Sequence, residues 1–244
     1  MLPEPSLAII FSLIASISTS IGIIIIWKYQ EWGQRNVFYF MSFAAGLLIA
    51  VSLLHVIPES IELNVSAPLF VLLGFLSLHV YDRFLDDHGS FNREEKQYYS
   101  LGIISAWGIG LHSFVDGIIY MVTFNVSMIT GVVTSTAMVF HEIPEGIITF
   151  LLLKKAGFSE RRSLIFSFLA ASISTPLGAI LAFPFVYNIG DAQLGILLAL
   201  SAGTLLYIGA SRLLPESEME ASKFNLTILG LGIIFIVFIL LMSH

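Results

Sequence analysis

Two short stretches of this 244-residue sequence hold the groups best suited to chemistry. One reads HSFVDGII (His112–Ile119), the other HEIPEGII (His141–Ile148). In each, a histidine is followed four residues later by a carboxylate and then a glycine. On a helix, positions i and i+4 stack on one face. Each stretch therefore presents one imidazole and one carboxylate on a single stripe: His112 with Asp116, and His141 with Glu145. The residue after each histidine, Ser113 or Glu142, sits about 100° around the helix, at the edge of the same cavity. Two neutral imidazoles and two carboxylates suit Zn2+ and are acceptable to Fe2+, Mn2+ or Cd2+.

The elements that must carry these groups are strongly apolar. Of all residues 57% are hydrophobic and 11% charged, and the mean hydropathy is +0.90. A soluble domain cannot hide that much apolar surface, so the fold class expected is an all-α polytopic membrane protein. Apolar segments of spanning length run Leu7–Trp27, Val37–Ile57, Ala67–Leu85, Leu101–Phe124, Met128–Leu153, Ser163–Val186, Ala192–Leu214 and Phe224–Met242. They predict eight transmembrane helices in one domain over residues 1–244, each near the ~20 residues that cross a bilayer. The first segment has no basic leader and no small-residue cleavage site, and reads as a retained helix. With no cysteine there is neither a disulfide framework nor a thiolate metal site. The net charge of -6 comes with no basic patch that would suggest a nucleic-acid partner.

The connections predict the orientation. Lys28, Arg35, Arg83, Arg93, Lys96, Lys154, Lys155, Arg161, Arg162, Arg212 and Lys223 all fall in or beside alternate connections. That side should be cytoplasmic. The other connections carry Glu59, Glu62 and Asp191 and no lysine or arginine. Both termini are then expected on the non-cytoplasmic side.

Both paired motifs fall near mid-span, where an ionised carboxylate costs at least ~2.5 kcal/mol. Asp116, Glu142 and Glu145 add mutual repulsion. A divalent cation offsets desolvation and repulsion together. Hydrogen bonding to neighbouring helices would explain one lone histidine or glutamate, but the duplication of the pattern favours a ligand set. Pro144 removes the amide that would pair with the Phe140 carbonyl, so a kink is expected beside His141. Gly117 and Gly146 allow close helix approach.

A second repeat joins the second and seventh segments. AGLLIAVSLLHVIPES (Ala45–Ser60) aligns without gaps to AGTLLYIGASRLLPES (Ala202–Ser217). The copies should end on opposite membrane sides, as an inverted repeat requires.

These motifs resemble the fourth and fifth helices of the Zrt-/Irt-like (ZIP) divalent metal transporters. The patterns there are His-Asn-Phe-x-(Asp/Glu)-Gly and His-(Asn/Glu)-x-Pro-(Glu/His)-(Gly/Glu). TPLGA (Thr175–Ala179) in the sixth segment and the Pro-Glu-Ser end of the second extend the likeness. The resemblance implies transport of zinc or a related divalent ion into the cytoplasm, with the ion as cargo and no prosthetic group. It implies coordination by His112, Asp116, His141 and Glu145, an elevator-like motion of the metal-binding helices, and a homodimer in a plasma or bacterial inner membrane. Three features depart from the family. Ser113 replaces the usual asparagine, Thr175 stands where many members have glutamate, and the third connection has only His88 in place of a histidine-rich run. The first two weaken a second adjacent metal site.

His55 and His79, with Asp82 one turn beyond His79, could form a relay, although interfacial hydrogen bonding explains them better. Asp86, Asp87 and His88 could be a release point or simply a solvated loop. Two functions of other classes remain: an intramembrane zinc hydrolase, for which HEIPE lacks the zincin second histidine, and a membrane metal sensor that binds without conducting.

Overall fold

The computed structural model describes residues 4–88, 93–126, 128–219 and 224–243. Lys223 lies outside the described residues, as do the side chains of Arg93, Lys96, Asp86, Asp87 and His88. Among the described residues the chain is helical throughout, with no strand. The main elements are α1 (Glu4–Lys28), α2 (Val37–Leu63), α3 (Ala67–His88), α4 (Arg93–Val126), α5 (Met128–Lys155), α6 (Glu160–Val186), α7 (Asp191–Glu218) and α8 (Asn225–Ser243). A short turn of helix, Gln30–Arg35, links the first two. Each expected apolar segment falls within one of these elements, apart from Phe224 at the start of the last. Six of them, α1 to α4, α6 and α7, are long and apolar enough to cross a membrane by length and composition. The apolar stretch of α8 is shorter, and α5 carries His141, Glu142 and Glu145.

The outer face is far more apolar than that of a water-soluble bundle. In α1, Ile10, Leu13, Ile14, Ile17, Ile21, Ile24 and Ile25 are exposed while Ser12 and Thr19 are buried. Aliphatic side chains outward and hydroxyls inward is the pattern of an integral membrane protein, where lipid is the solvent for the outer face.

Three helices are interrupted by wide turns, and each interruption has a proline cause. In α2 the Ile57 amide donates to the Ser52 carbonyl. In α7 the Leu214 amide donates to the Gly209 carbonyl. In α6 the Ile173 amide donates to the Phe168 carbonyl at 2.8 Å. Each is an i→i+5 bond of a π turn. A proline ring collides with the carbonyl four residues before it. For Pro58, Pro176 and Pro215 that carbonyl belongs to Leu54, Ser172 and Ser211, and all three lie inside the π turns. The widened turn makes room for the ring. Pro144 behaves differently from expectation: α5 is assigned α-helix without interruption from Met128 to Lys155. Of the three π turns, the one in α6 packs against α5.

The helices pack as two groups. In one, α1 lies on α5, α5 on α4, and α4 on α6; in the other, α2 lies on α8 and α3 on α7. The groups meet chiefly along α4 and α7. Glycines fix these pairings by letting backbones touch. A Cβ on Gly117 would sit 2.0 Å from the Thr175 carbonyl oxygen, and one on Gly146 would sit 2.4 Å from that of Thr19. Reciprocally, a Cβ on Gly178 would meet the Phe114 carbonyl and one on Gly22 the Ile143 carbonyl. The second group repeats this, with Gly46 against Leu229 and Gly203 against Val71.

A third repeat, present in the sequence, gains its meaning from this packing. SISTSIG (Ser16–Gly22) in α1 matches SISTPLG (Ser172–Gly178) in α6, differing at Ser20/Pro176 and Ile21/Leu177. Matched residues make matched contacts, and Ser16 Oγ meets its own counterpart Ser172 Oγ at 2.9 Å. We expect Gly146→Ala to cost about 1–3 kcal/mol by overpacking against a backbone that cannot yield. Thermal unfolding of the detergent-purified protein should show a midpoint several degrees lower. An unchanged midpoint would mean α1 and α5 are not held at this distance.

Candidate metal site

The stripes predicted on α4 and α5 face each other at mid-helix. His112 and Asp116 lie one turn apart on α4, and His141 and Glu145 one turn apart on α5. The two helices run antiparallel, so the four side chains converge on one point. His141 Nε2 lies 3.1 Å from Asp116 Oδ2 and 4.0 Å from Glu145 Oε1. His112 Nε2 lies 3.5 Å from Asp116 Oδ2 and 3.4 Å from Glu145 Oε1. Both imidazoles thus turn the same nitrogen toward the same two carboxylates. The ring centroids are 5.6 Å apart. No member is more than 7% exposed.

Supporting contacts orient these groups. Ser201 Oγ of α7 lies 3.0 Å from His112 Nδ1. With Nδ1 protonated and donating to that hydroxyl, Nε2 keeps a lone pair facing the carboxylates, which is the tautomer that metal coordination needs. The hydroxyl of Thr19, in α1, donates to Glu142 Oε2. Neither Ser201 nor Thr19 was expected from the sequence. For Thr19 a signal exists in the SIST repeat; Ser201 stands one residue before the longer repeat, where the other copy is preceded by Ala44, so nothing local marks it.

Ligand atoms of His112, His141 and Glu145 all lie within 4.8 Å of one another, and so do those of Asp116, His141 and Glu142. The two trios overlap at His141. Both oxygens of Glu145, one of Glu142 and Nε2 of His112 are buried without a hydrogen-bond partner. Buried acceptors of this kind, unpaired and mutually repulsive, are costly unless a cation joins them. Nitrogen and oxygen donors in a four-membered cluster match tetrahedral zinc or a related divalent ion.

Ser113 is fully buried beside Glu145, and its hydroxyl donates to the Ile109 carbonyl at 2.9 Å, one turn back. Thr175 is fully buried and its hydroxyl has no partner. Away from the cluster, half-exposed His55 and Glu59 face each other at 3.7 Å along α2. Asp82 of α3 is held by hydroxyls of Ser100 and Tyr207 and lies 3.2 Å from Arg212 Nη1. The His79 ring sits edge-on to Tyr207 at 5.8 Å. Asp82 and His79 are therefore engaged in contacts between α3, α4 and α7, which is the bonding role expected over a relay.

The described residues thus form a helical membrane protein with a buried cluster of nitrogen and oxygen donors on two facing helices. The profile of the family described as ZIP zinc transporter matches residues 86–241. The human protein named metal cation symporter ZIP14 is 32% identical over 174 residues, covering 66% of this chain and 33% of the relative. The Xenopus tropicalis protein of that name is 34% identical over 134 residues, covering 52% of this chain and 27% of the relative. The rat protein named metal cation symporter ZIP8 is 32% identical over 118 residues, covering 46% and 24%. This chain belongs to the ZIP family. It spans about a third of the length of the first of these relatives and about a quarter of the others. The family is one of transporters, and the hydrolase alternative is dropped on that ground.

Proposed function

We propose that this protein carries divalent transition-metal ions, zinc foremost, across a plasma or bacterial inner membrane toward the cytoplasm. The ion is cargo, held in transit by His112, Asp116, His141 and Glu145, with Glu142 beside them. The observation that carries this reading is the convergence of two imidazoles and two carboxylates within 4.0 Å at a buried point on two facing helices. The relatives named as metal cation symporters support metal transport over sensing.

Residues 1–244 act as one transporter domain of eight crossings, and the three sequence repeats make it an inverted repeat. Support comes from the matched π turns before Pro58 and Pro215 and from the reciprocal glycine contacts. The group of α1, α4, α5 and α6 carries the ion and slides against α2, α3, α7 and α8 in an elevator-like exchange. The protein works as a homodimer, as the family resemblance implies. Uptake of radioactive zinc, iron(II), manganese(II) and cadmium into proteoliposomes tests the function. Metal that binds to the protein but does not accumulate in the lumen would identify a sensor instead.

The same reading places Glu59 and Glu216, the matched ends of the longer repeat, on opposite sides of the membrane. Single cysteines at the two positions should therefore label unequally with an impermeant maleimide added outside sealed vesicles of uniform orientation. Equal labelling would overturn both the orientation and the inversion.

A further inference from the structure

The seam between the two helix groups holds a cavity of about 700 Å3 to which none of the metal-cluster residues contributes. One wall is a stripe of α4, Ile103, Trp107, Gly110 and Phe114, spaced as a single helix face. His112 points from the other side of that helix. Leu169, Ala170 and Ser174 of α6 make a second wall, and Ser77 and Leu78 of α3 with Thr204 of α7 make a third. Both helix groups therefore line the same cavity. Its hollow comes from small residues, Ala106, Gly110 and Ala170, where larger ones would close the gap. Trp107, Phe166 and Leu169, also part of the lining, are exposed on the outer face, so the cavity opens sideways onto the lipid-facing surface.

The chemistry of the lining selects the occupant. Its three hydroxyls are all spent on their own helices. Ser77 donates to the Gly74 carbonyl at 2.8 Å, Ser174 to that of Ala170 at 2.5 Å and Thr204 to that of Ser201 at 2.7 Å. A water in this space would lack the two to four polar partners that hold buried water. Left empty, walls of carbon would forfeit dispersion contacts. Hydrocarbon satisfies both conditions, and at this depth hydrocarbon is the surrounding solvent. Length agrees as well. From Ile103 to Phe114 the α4 stripe rises about 16 Å, close to the roughly 15 Å that one leaflet contributes to a ~30 Å hydrocarbon core.

We propose that this seam is a binding site for one acyl chain of a membrane phospholipid, which enters from the side and is gripped by α4 and α6 on one hand and by α3 and α7 on the other. The site is separate from the metal cluster and does not depend on the identity of the ion.

The test uses the full chain in phosphatidylcholine vesicles whose lipid carries a diazirine in mid-chain. After irradiation, adducts are mapped by peptide mass spectrometry. Outward-facing Ile17 and Ile21 of α1 report ordinary surrounding lipid. Adducts should form there and also at half-buried Phe114 and Ala170 inside the seam. Ala170→Phe and, separately, Ala106→Phe fill the cavity. Each should lose the seam adducts and keep those on α1. Labelling of α1 with none at Phe114 or Ala170 in the unsubstituted chain overturns the proposal, and is the result expected if a second copy of the chain covers the seam instead. Seam adducts that persist undiminished in both filled variants overturn it too, because the label would then not report the cavity. Should either variant fail to fold, the unsubstituted pattern and the other variant still decide.

Discussion

Replacing His112, Asp116, His141 or Glu145 with alanine should reduce zinc uptake more than about a hundredfold, since even second-shell partners cost 10–100-fold. Each residue supplies one donor to a cluster of four, and no other His or acid side chain among the described residues is grouped with it except Glu142. The loss should not come from unfolding. Removing the Glu145 carboxylate, neither of whose oxygens has a hydrogen-bond partner, relieves repulsion and desolvation in the ion-free protein, so thermal stability of that variant without metal should hold or rise. Stabilisation by added zinc should vanish, because a ligand that binds only the folded state raises stability in proportion to its occupancy. Uptake by His141→Ala with unchanged apparent affinity would show that the ligands are misassigned.

The second large effect concerns stoichiometry. Two divalent ions about 4 Å apart repel by roughly 16 kcal/mol at an effective dielectric of 20. Countering that takes carboxylates on both sides of the pair. Here one flank has Glu142 held by Thr19, while the matched flank has Ser113, bonded to its own helix, and Thr175, whose buried hydroxyl carries no charge. We therefore expect one tightly held ion per protomer. Thr175→Glu should add a second, because the new carboxylate would stand where Thr175 already approaches α4 at Gly117. Equilibrium dialysis with elemental analysis reads the ratio directly. Two tight zinc ions in the unmodified protein would mean that these hydroxyls suffice.

The clustering of the four side chains was legible in the sequence because its information is local. A histidine and an acid four residues apart share a helix face whatever the rest of the chain does. Duplication then singled out His112, Asp116, His141 and Glu145 from the other polar residues. The helices were legible for a similar reason, since apolar length is a property of a segment. What stayed hidden depends on how segments meet. Ser201 reaches His112 from α7, and Thr19 reaches Glu142 from α1. Neither pairing follows from spacing along the chain. For Ser113 the place next to His112 was legible, while the donation of its hydroxyl to the Ile109 carbonyl was not. The prolines show the same limit. Sequence marks Pro58, Pro144, Pro176 and Pro215 alike, but only three are answered by a π turn.

The most direct measurement of the central claim is anomalous diffraction at the zinc edge from crystals of the metal-loaded protein. The site described here predicts one strong peak between α4 and α5, at roughly 2.0–2.2 Å from nitrogen of His112 and His141 and oxygen of Asp116 and Glu145. A zinc peak confined to other residues, with none at this cluster, would contradict it.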